Sequence, residues 1–289
     1  MDHSGFKRPR PPRKKIIESM ISVFREYNPG EDLENKMTLR QIFYQLVARQ
    51  VIENHHKEYK RVKEALVHAR KSGMIPWSWI EDRTRQPRTF PMWRDLSEFS
   101  EDVLRSYRKE IWNDQPLYVE LWLEKEALSG IFMEILEPFG ITLNVGRGND
   151  SYCSIISLAE RCEGKRSPVI LCFTDFDPTG EDMRRDLRER LAYFGCRAEI
   201  VPCALLKEDI GRYSLPSDFA KKSDSRTKKF IEKYGEEVVE LDSLPVDVLK
   251  KRILEDVKVR IDPEALERSR KTEERERLEL QAIFEQVRR

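Results

Sequence analysis

Between residues 117 and 205 four short apolar runs alternate with three longer amphipathic ones, and this alternation restricts the fold more than any other feature. LYVELWL (117–123), ITLNV (141–145), SPVILCFTD (167–175) and CRAEIVPCAL (196–205) have the length and bulk of strands. In the first, Leu117, Val119, Leu121 and Leu123 fall on one face, with Tyr118 and Trp122 on the other. The third is bulky on both faces, as expected of a central parallel strand covered from both sides. The runs between them, EKEALSGIFMEILEPFG, YCSIISLAERC and PTGEDMRRDLRERLAYFG, read as helices. A β-α-β-α-β-α-β order predicts a parallel sheet flanked by helices, an α/β domain placed at 116–262. Within it 225–260 reads as helical with a loop at 243–245. The end, 263–289, reads as a charged helix, either solvated or packed on a partner.

The front of the chain has another style. Residues 1–13 are Pro- and Arg-rich without periodicity and read as a flexible basic tail, either solubilising or touching phosphates. From Lys14 the pattern is helical: Ile16, Ile17, Met20, Ile21 and Phe24 recur at helical spacing until Asn28-Pro29-Gly30 ends the run. TLRQIFYQLVARQ is a second helix with Thr38 as its N-cap, and KEYKRVKEALVHARKSG a third, ending at Gly73. The aromatic, Arg-rich MIPWSWIEDRTRQPRTF that follows is too rich in proline for a long helix. Three helices and a basic, partly extended segment resemble a winged helix-turn-helix over 14–115. Lys57, Lys60, Arg61, Lys63, Arg70 and Lys71 give the third helix a basic surface suited to a DNA groove, or simply a solvated one. Trp77 and Trp79 with Arg83, Arg85 and Arg88 form either a wing on duplex DNA or a hydrophobic anchor.

Charge agrees with this division. The chain has 289 residues and a net charge of +1, but residues 1–115 hold 23 Lys+Arg against 17 Asp+Glu, and the remainder 30 against 35. A basic front and an acidic back direct polyanion binding forward and cation binding backward. No apolar run approaches the ~18–20 residues of a membrane span, and MDHSGFKRPRPPRKK has no apolar stretch like that of a secretory signal. The five cysteines are odd in number and contain no C-x-x-C, which argues against a disulfide framework or a zinc ribbon. The expected compartment is the reducing cytoplasm, at the nucleoid in a prokaryote.

Two strand ends carry bare carboxylates: Glu124 after the first strand, and Asp175 and Asp177 after the third. Ligands of open α/β sheets bind beyond such ends. Residues i and i+2 of an extended chain point the same way, so Asp175 and Asp177 project together. Pro178 ends the strand, and Thr179 with Asp182 resembles the start of a capped helix. The D-x-D pair either caps this turn or, with Glu124, holds a divalent cation. Oxygen-only ligands favour Mg²⁺, or Mn²⁺.

Glu124-Lys125-Glu126 after the first strand, Gly146-Arg147-Gly148 after the second and FTDFDPTG after the third resemble, in order, the motifs of the Toprim domain. More narrowly they resemble its version in the A subunit of topoisomerase VI and the related meiotic double-strand-break transesterase. The match spans about 116–205, and VELDSLP (239–245) resembles the family's later E-x-x-A-L segment. The family also carries a winged helix with a tyrosine in R-D-I-F/Y-Y, and this chain has Arg40-Gln41-Ile42-Phe43-Tyr44. On a helical wheel with Arg40 at 0°, Leu39, Ile42, Phe43, Leu46 and Val47 fall between about 200° and 340°, and Tyr44 near 40°. The phenol is therefore expected off the core face and within reach of Arg40, which would favour the phenolate and hold a phosphate oxygen.

The resemblance implies Mg²⁺-dependent DNA cleavage, with Tyr44 as nucleophile beside Arg40, Glu124, Asp175 and Asp177 as metal ligands, and Arg147 among the DNA contacts. It also implies a homodimer in which Tyr44 of one protomer faces the metal site of the other. The chain is shorter than a full A subunit and resembles a minimal stand-alone relative. It has no nucleotide-binding motif, so an ATP-driven gate would need a separate ATPase subunit. Two alternatives remain: a Toprim nuclease that uses metal-activated water, and a non-catalytic DNA-binding assembly factor.

Overall fold

The computed structural model describes residues 12–27, 36–80, 90–146, 152–220 and 226–287. In chain order the helices and strands are α1 (Arg13–Tyr27), α2 (Leu39–Ala48), α3 (His56–Lys71), α4 (Leu96–Ser106), β1 (Tyr118–Leu123), α5 (Ser129–Leu136), β2 (Leu143–Val145), α6 (Tyr152–Cys162) and β3 (Pro168–Phe173). They continue with α7 (Pro178–Tyr193), β4 (Glu199–Ala204), α8 (Lys207–Arg212), β5 (Asp218–Phe219), α9 (Thr227–Tyr234), β6 (Glu237–Val238), α10 (Val246–Lys258) and α11 (Pro263–Val287). By contact these form two compact units. The first draws on 1–83, 174–181 and 204–251, the second on 84–173, 182–203 and 252–289. This division differs from one drawn on sequence style, because both units are assembled from separated stretches.

The second unit contains the sheet. Its four parallel strands lie in the order β2-β1-β3-β4, so the alternation of apolar runs does produce an α/β arrangement. Leu121 and Leu123 of β1 pair with Leu143 and Val145, while Tyr118 through Leu123 pair with Pro168 through Phe173. Every residue of β1 is buried, and so is β3 from Val169 onward. Apolar side chains on both faces of these strands are removed from water by helices, which is why no polar–apolar alternation marks them.

One residue breaks that apolar rule. Glu120, in mid-β1, is fully buried. It receives Nε and Nη2 of Arg161 at 2.7 and 2.8 Å, the Tyr118 hydroxyl at 2.6 Å and Asn144 Nδ2 at 2.8 Å. A carboxylate with this many donors is compensated for its lost hydration, and the network ties α6 and β2 to β1.

Gly146, first of the glycine-loop motif, is explained here. A Cβ there would meet Trp122 Nε1 at 2.9 Å, and Gly146 N bonds Leu123 O at 2.8 Å, so the loop leaves β2 pressed against an indole. Arg147 and Gly148 lie outside the described residues. The charged end of the chain is helical as expected, as α11. It packs within its own unit, where Glu273 and Glu276 accept from Lys109 N and Nζ, both at 2.8 Å. The sequence reading passed over α4.

The first unit is built on α1, α2 and α3. Ile16, Ile17, Met20, Val23 and Phe24 form the buried face of α1; Val23, rather than the expected Ile21, completes the stripe. Thr38 caps α2 as predicted, with Gln41 completing a capping box. The α3 core residues are Val62, Ala65, Leu66 and Ala69. A parallel bridge between Met37 and Ile80 closes this part. A winged helix requires more than these elements, and residues 81–89, the rest of the expected wing, lie outside the described ones.

Residues 225–260 are not continuously helical. Gly235, at φ +93°, ends α9, and the chain runs extended through β6 before a short 3-10 turn at Leu241–Ser243 leads to α10. β6 pairs antiparallel with β5, which had no clear signature in two residues. No helix among the described residues is long and apolar enough to cross a membrane. The described cysteines are all free, with only Cys153 exposed.

Candidate active site

The D-F-D segment is fixed by backbone bonds. Phe176 and Val239 exchange N–H···O bonds of 2.9 and 3.0 Å, continuing β6 onto the segment after β3. Alternation sends Phe176 to one side, where its ring meets Phe230 and Tyr234 of α9 edge-on at 5.2 and 5.3 Å. Asp175 and Asp177 take the other side, as the i, i+2 argument requires. Asp175 is buried and its Oδ1 accepts from Leu241 N at 2.8 Å. Asp177 is half-buried and its Oδ1 accepts from Gly180 N at 2.7 Å.

Asp177 is thus the N-cap of α7, with Pro178 at the first helical position. The expected cap at Thr179 with Asp182 is corrected: the cap lies two residues earlier, and an Asp supplies it. Gly180 is required by this geometry, since a Cβ would lie 2.3 Å from Asp175 O.

Arg40 and Tyr44 stand one turn apart on α2. The Arg40 guanidinium pairs with Glu240 through Nη2 and with Asp242 through Nε at 3.4 Å. Its pKa is raised: burial works against its charge, and the two carboxylates outweigh burial. The Tyr44 hydroxyl hydrogen-bonds both Glu240 and Arg40.

Two expectations for Tyr44 are corrected. The residue is only 6% exposed, and residues 241–243, which the wheel does not take into account, pack against α2. Nor does Arg40 win the electrostatics. Burial pushes the phenol pKa up, Glu240 pushes it further, and Arg40 offsets only part of this. Tyr44 is held as the neutral phenol.

Tyr44 and the two aspartates open onto one cleft of about 370 Å³. Tyr44, Asn54, Asp175, Asp177, Thr179, Asp218 and Glu240 are among its lining residues. A second opening on the other side of Tyr44 is lined by Arg40, Phe43, His55, His56 and Tyr59. All of these belong to the first unit of a single chain.

The first cleft's polar lining is oxygen-rich, without thiol or imidazole, which suits a hard cation. Two carboxylates completed by phosphate oxygens and water are a common Mg²⁺ arrangement. Among the described residues, however, no three His, Cys, Asp or Glu side chains are grouped as a metal cage. Glu124 follows β1 in the second unit, where its N–H bonds Phe173 O at 3.0 Å.

Of the basic residues on α3, Lys57, Lys60, Lys63 and Lys71 are exposed. Arg61 is tied to Glu58 at 2.6 Å, and Arg70 stacks on Trp77 at 4.0 Å. The two tryptophans differ: Trp79 packs on Phe24 at 5.0 Å, while Trp77 is 59% exposed. Arg83, Arg85 and Arg88 lie outside the described residues.

The residues missed by the sequence reading are Glu240, Asp242, Asn54 and Asp218. The first two sit inside VELDSLP, a stretch singled out only by resemblance. No protein-family model matches the chain, and no curated protein is significantly similar to it.

Proposed function

We propose that the chain is a DNA strand-cleaving enzyme of the topoisomerase VI A-subunit type, combining a winged-helix front with a Toprim-like metal site. One observation carries this reading: Tyr44 of α2, one turn from Arg40, lines the same cleft as Asp175 and Asp177. The sequence motifs suggested each pair separately, and folding brings residues of distant parts of the chain together in one unit.

In this reading Asp175 and Asp177 hold Mg²⁺ or Mn²⁺, with Glu124 as the further ligand the resemblance implies. When bound, the ion supplies charge stabilisation at the scissile phosphate and the leaving oxygen. The exposed lysines of α3 hold duplex DNA by its phosphates. Tyr44 Oη gives up its proton to water and attacks phosphorus, the P–O3′ bond breaks, and the 3′ oxygen takes a proton back from water. The products are a 5′-phosphotyrosyl link and a 3′-hydroxyl. The reverse reaction reseals the strand, and because the covalent link keeps the bond energy, sealing needs no ATP.

The tyrosine and the aspartates share a cleft in one chain, so each protomer of a homodimer would carry its own nucleophile and aspartates. A second reading is favoured by the buried, neutral phenol: a nuclease in which metal-activated water attacks. Supercoiled plasmid incubated with Mg²⁺ tests both. Nicking or relaxation by wild type, lost in EDTA and in Tyr44→Phe, supports the tyrosine. Undiminished nicking by Tyr44→Phe transfers the reaction to water, and no nicking by wild type rejects both.

A further inference from the structure

Glu240 makes the contacts that a substrate phosphate would need. Its carboxylate accepts from Arg40 Nη2 and from the Tyr44 hydroxyl. A phosphodiester under attack by Tyr44 requires the same two partners: a guanidinium fork on its non-bridging oxygens and the phenol facing phosphorus. Carboxylate and phosphodiester are both anions that only accept hydrogen bonds, so they compete for this place. We propose that Glu240 occupies the seat of the scissile phosphate between Arg40 and Tyr44, and that the segment 237–242 masks the site until a DNA phosphate displaces the carboxylate. The inference rests on the reading of Tyr44 as the nucleophile.

The surroundings suit an exchange. The Arg40 and Glu240 side chains are 42% and 35% exposed, so an incoming anion reaches the pair from solvent, whereas the Tyr44 ring behind it is buried. The segment enters through β6, whose pairing with β5 extends over only two residues. Asp242, whose side chain is fully buried, stays on Arg40 Nε and keeps the guanidinium aimed while its other edge changes partner. A general-base role for Glu240 fits less well, because an acceptor already paired with a guanidinium is a weak base.

The test uses the full chain and a fluorescein-labelled duplex oligonucleotide in EDTA, with Kd measured across a salt series. Glu240→Gln keeps the shape of the side chain and releases Arg40. It is expected to bind about fivefold tighter, the worth of a partly exposed ion pair, and to steepen the log Kd–log salt slope by about 0.9, one added phosphate contact. Both gains should vanish in the Arg40→Gln/Glu240→Gln double variant. Asp218→Asn removes an equal charge from the same cleft and should leave the slope unchanged. Glu240→Asp should shift both readouts in the same direction by less.

Identical slopes for wild type and Glu240→Gln, or a gain that persists without Arg40, overturn the proposal. Plasmid cleavage by Tyr44→Phe separates the two levels. If that variant still cuts while Glu240→Gln steepens the slope, the nucleophile reading falls and the phosphate seat stands. If it is inert while Glu240→Gln changes nothing, the mask alone falls.

Discussion

Two arginines in this molecule hold a glutamate, and the two pairs are built differently. Arg161 grips Glu120 with two parallel bonds, and Tyr118 and Asn144 supply further donors to a carboxylate with no exposed surface. Arg40 holds Glu240 at the mouth of a cleft, with both side chains more than a third exposed and a tyrosine hydroxyl in the same network. In the first pair the carboxylate is closed off: every partner of Glu120 lies in the sheet or the helix and strand beside it, and only the Arg161 side chain, 36% exposed, reaches solvent. The second is open, and its members face solvent, a cleft and two aspartates. Equal chemistry thus serves structure when its environment is sealed, and is available for exchange when its environment is not.

The aspartates give the largest expected effect on activity. Asp175→Asn and Asp177→Asn should each cost several kcal/mol of transition-state stabilisation, roughly a thousandfold or more in cleavage rate. Folding should persist, because an Asn still accepts from Leu241 N or caps α7 at Gly180 N. Undiminished cutting by the double Asn variant, or by wild type in EDTA, would remove the metal from the account.

The two pairs test the comparison through stability. Arg161→Ala leaves Glu120 buried with too few donors and should cost about 3–5 kcal/mol in urea unfolding. Glu240→Ala opens the half-exposed pair while leaving Asp242 on Arg40, and should cost at most about 1 kcal/mol. Equal losses would erase the distinction between closed and open pairs.

A complementation experiment sharpens the location of the site. Mixing Tyr44→Phe with Asp175→Asn subunits should give no rescue, because each chain keeps its tyrosine and aspartates in one unit. Restored nicking in a mixture shown to exchange subunits would demand sites shared between protomers. The smallest effect is spectroscopic. Phenolate absorbance of wild type minus Tyr44→Phe should show no titration near the ordinary tyrosine value of ~10, since burial and Glu240 both raise that pKa. Glu240→Gln should bring the titration to lower pH, and a normal titration in wild type would contradict the contacts described for the phenol.

Much of this was legible in the sequence where the signal is local. The bulk of SPVILCFTD on both faces marks β3 as a central strand, and Thr38 announces the start of α2. The i, i+2 rule places Asp175 and Asp177 on one side of their segment. The wheel correctly buries Ile42, Phe43 and Leu46, but it describes α2 alone. It has no means of seeing residues 241–243, some two hundred positions later, pack against α2, or Glu240 stand beside the phenol. Glu120 was equally hidden, because a strand pattern treats a single acid as an outward position unless its partners, Arg161 and Asn144, are known. The units follow contacts rather than composition, so no boundary drawn on the style of the sequence reproduces them.

The central claim is that Tyr44 becomes joined to DNA. Plasmid cleaved in Mg²⁺ and denatured at once with detergent, with the ends labelled separately, tests it directly. The account predicts protein retained on 5′ ends, free 3′-hydroxyls that a polymerase extends, a phosphotyrosyl mass on the peptide containing Tyr44, and none of these in Tyr44→Phe. Cleaved DNA whose 5′ ends carry no protein, in wild type and variant alike, would contradict it.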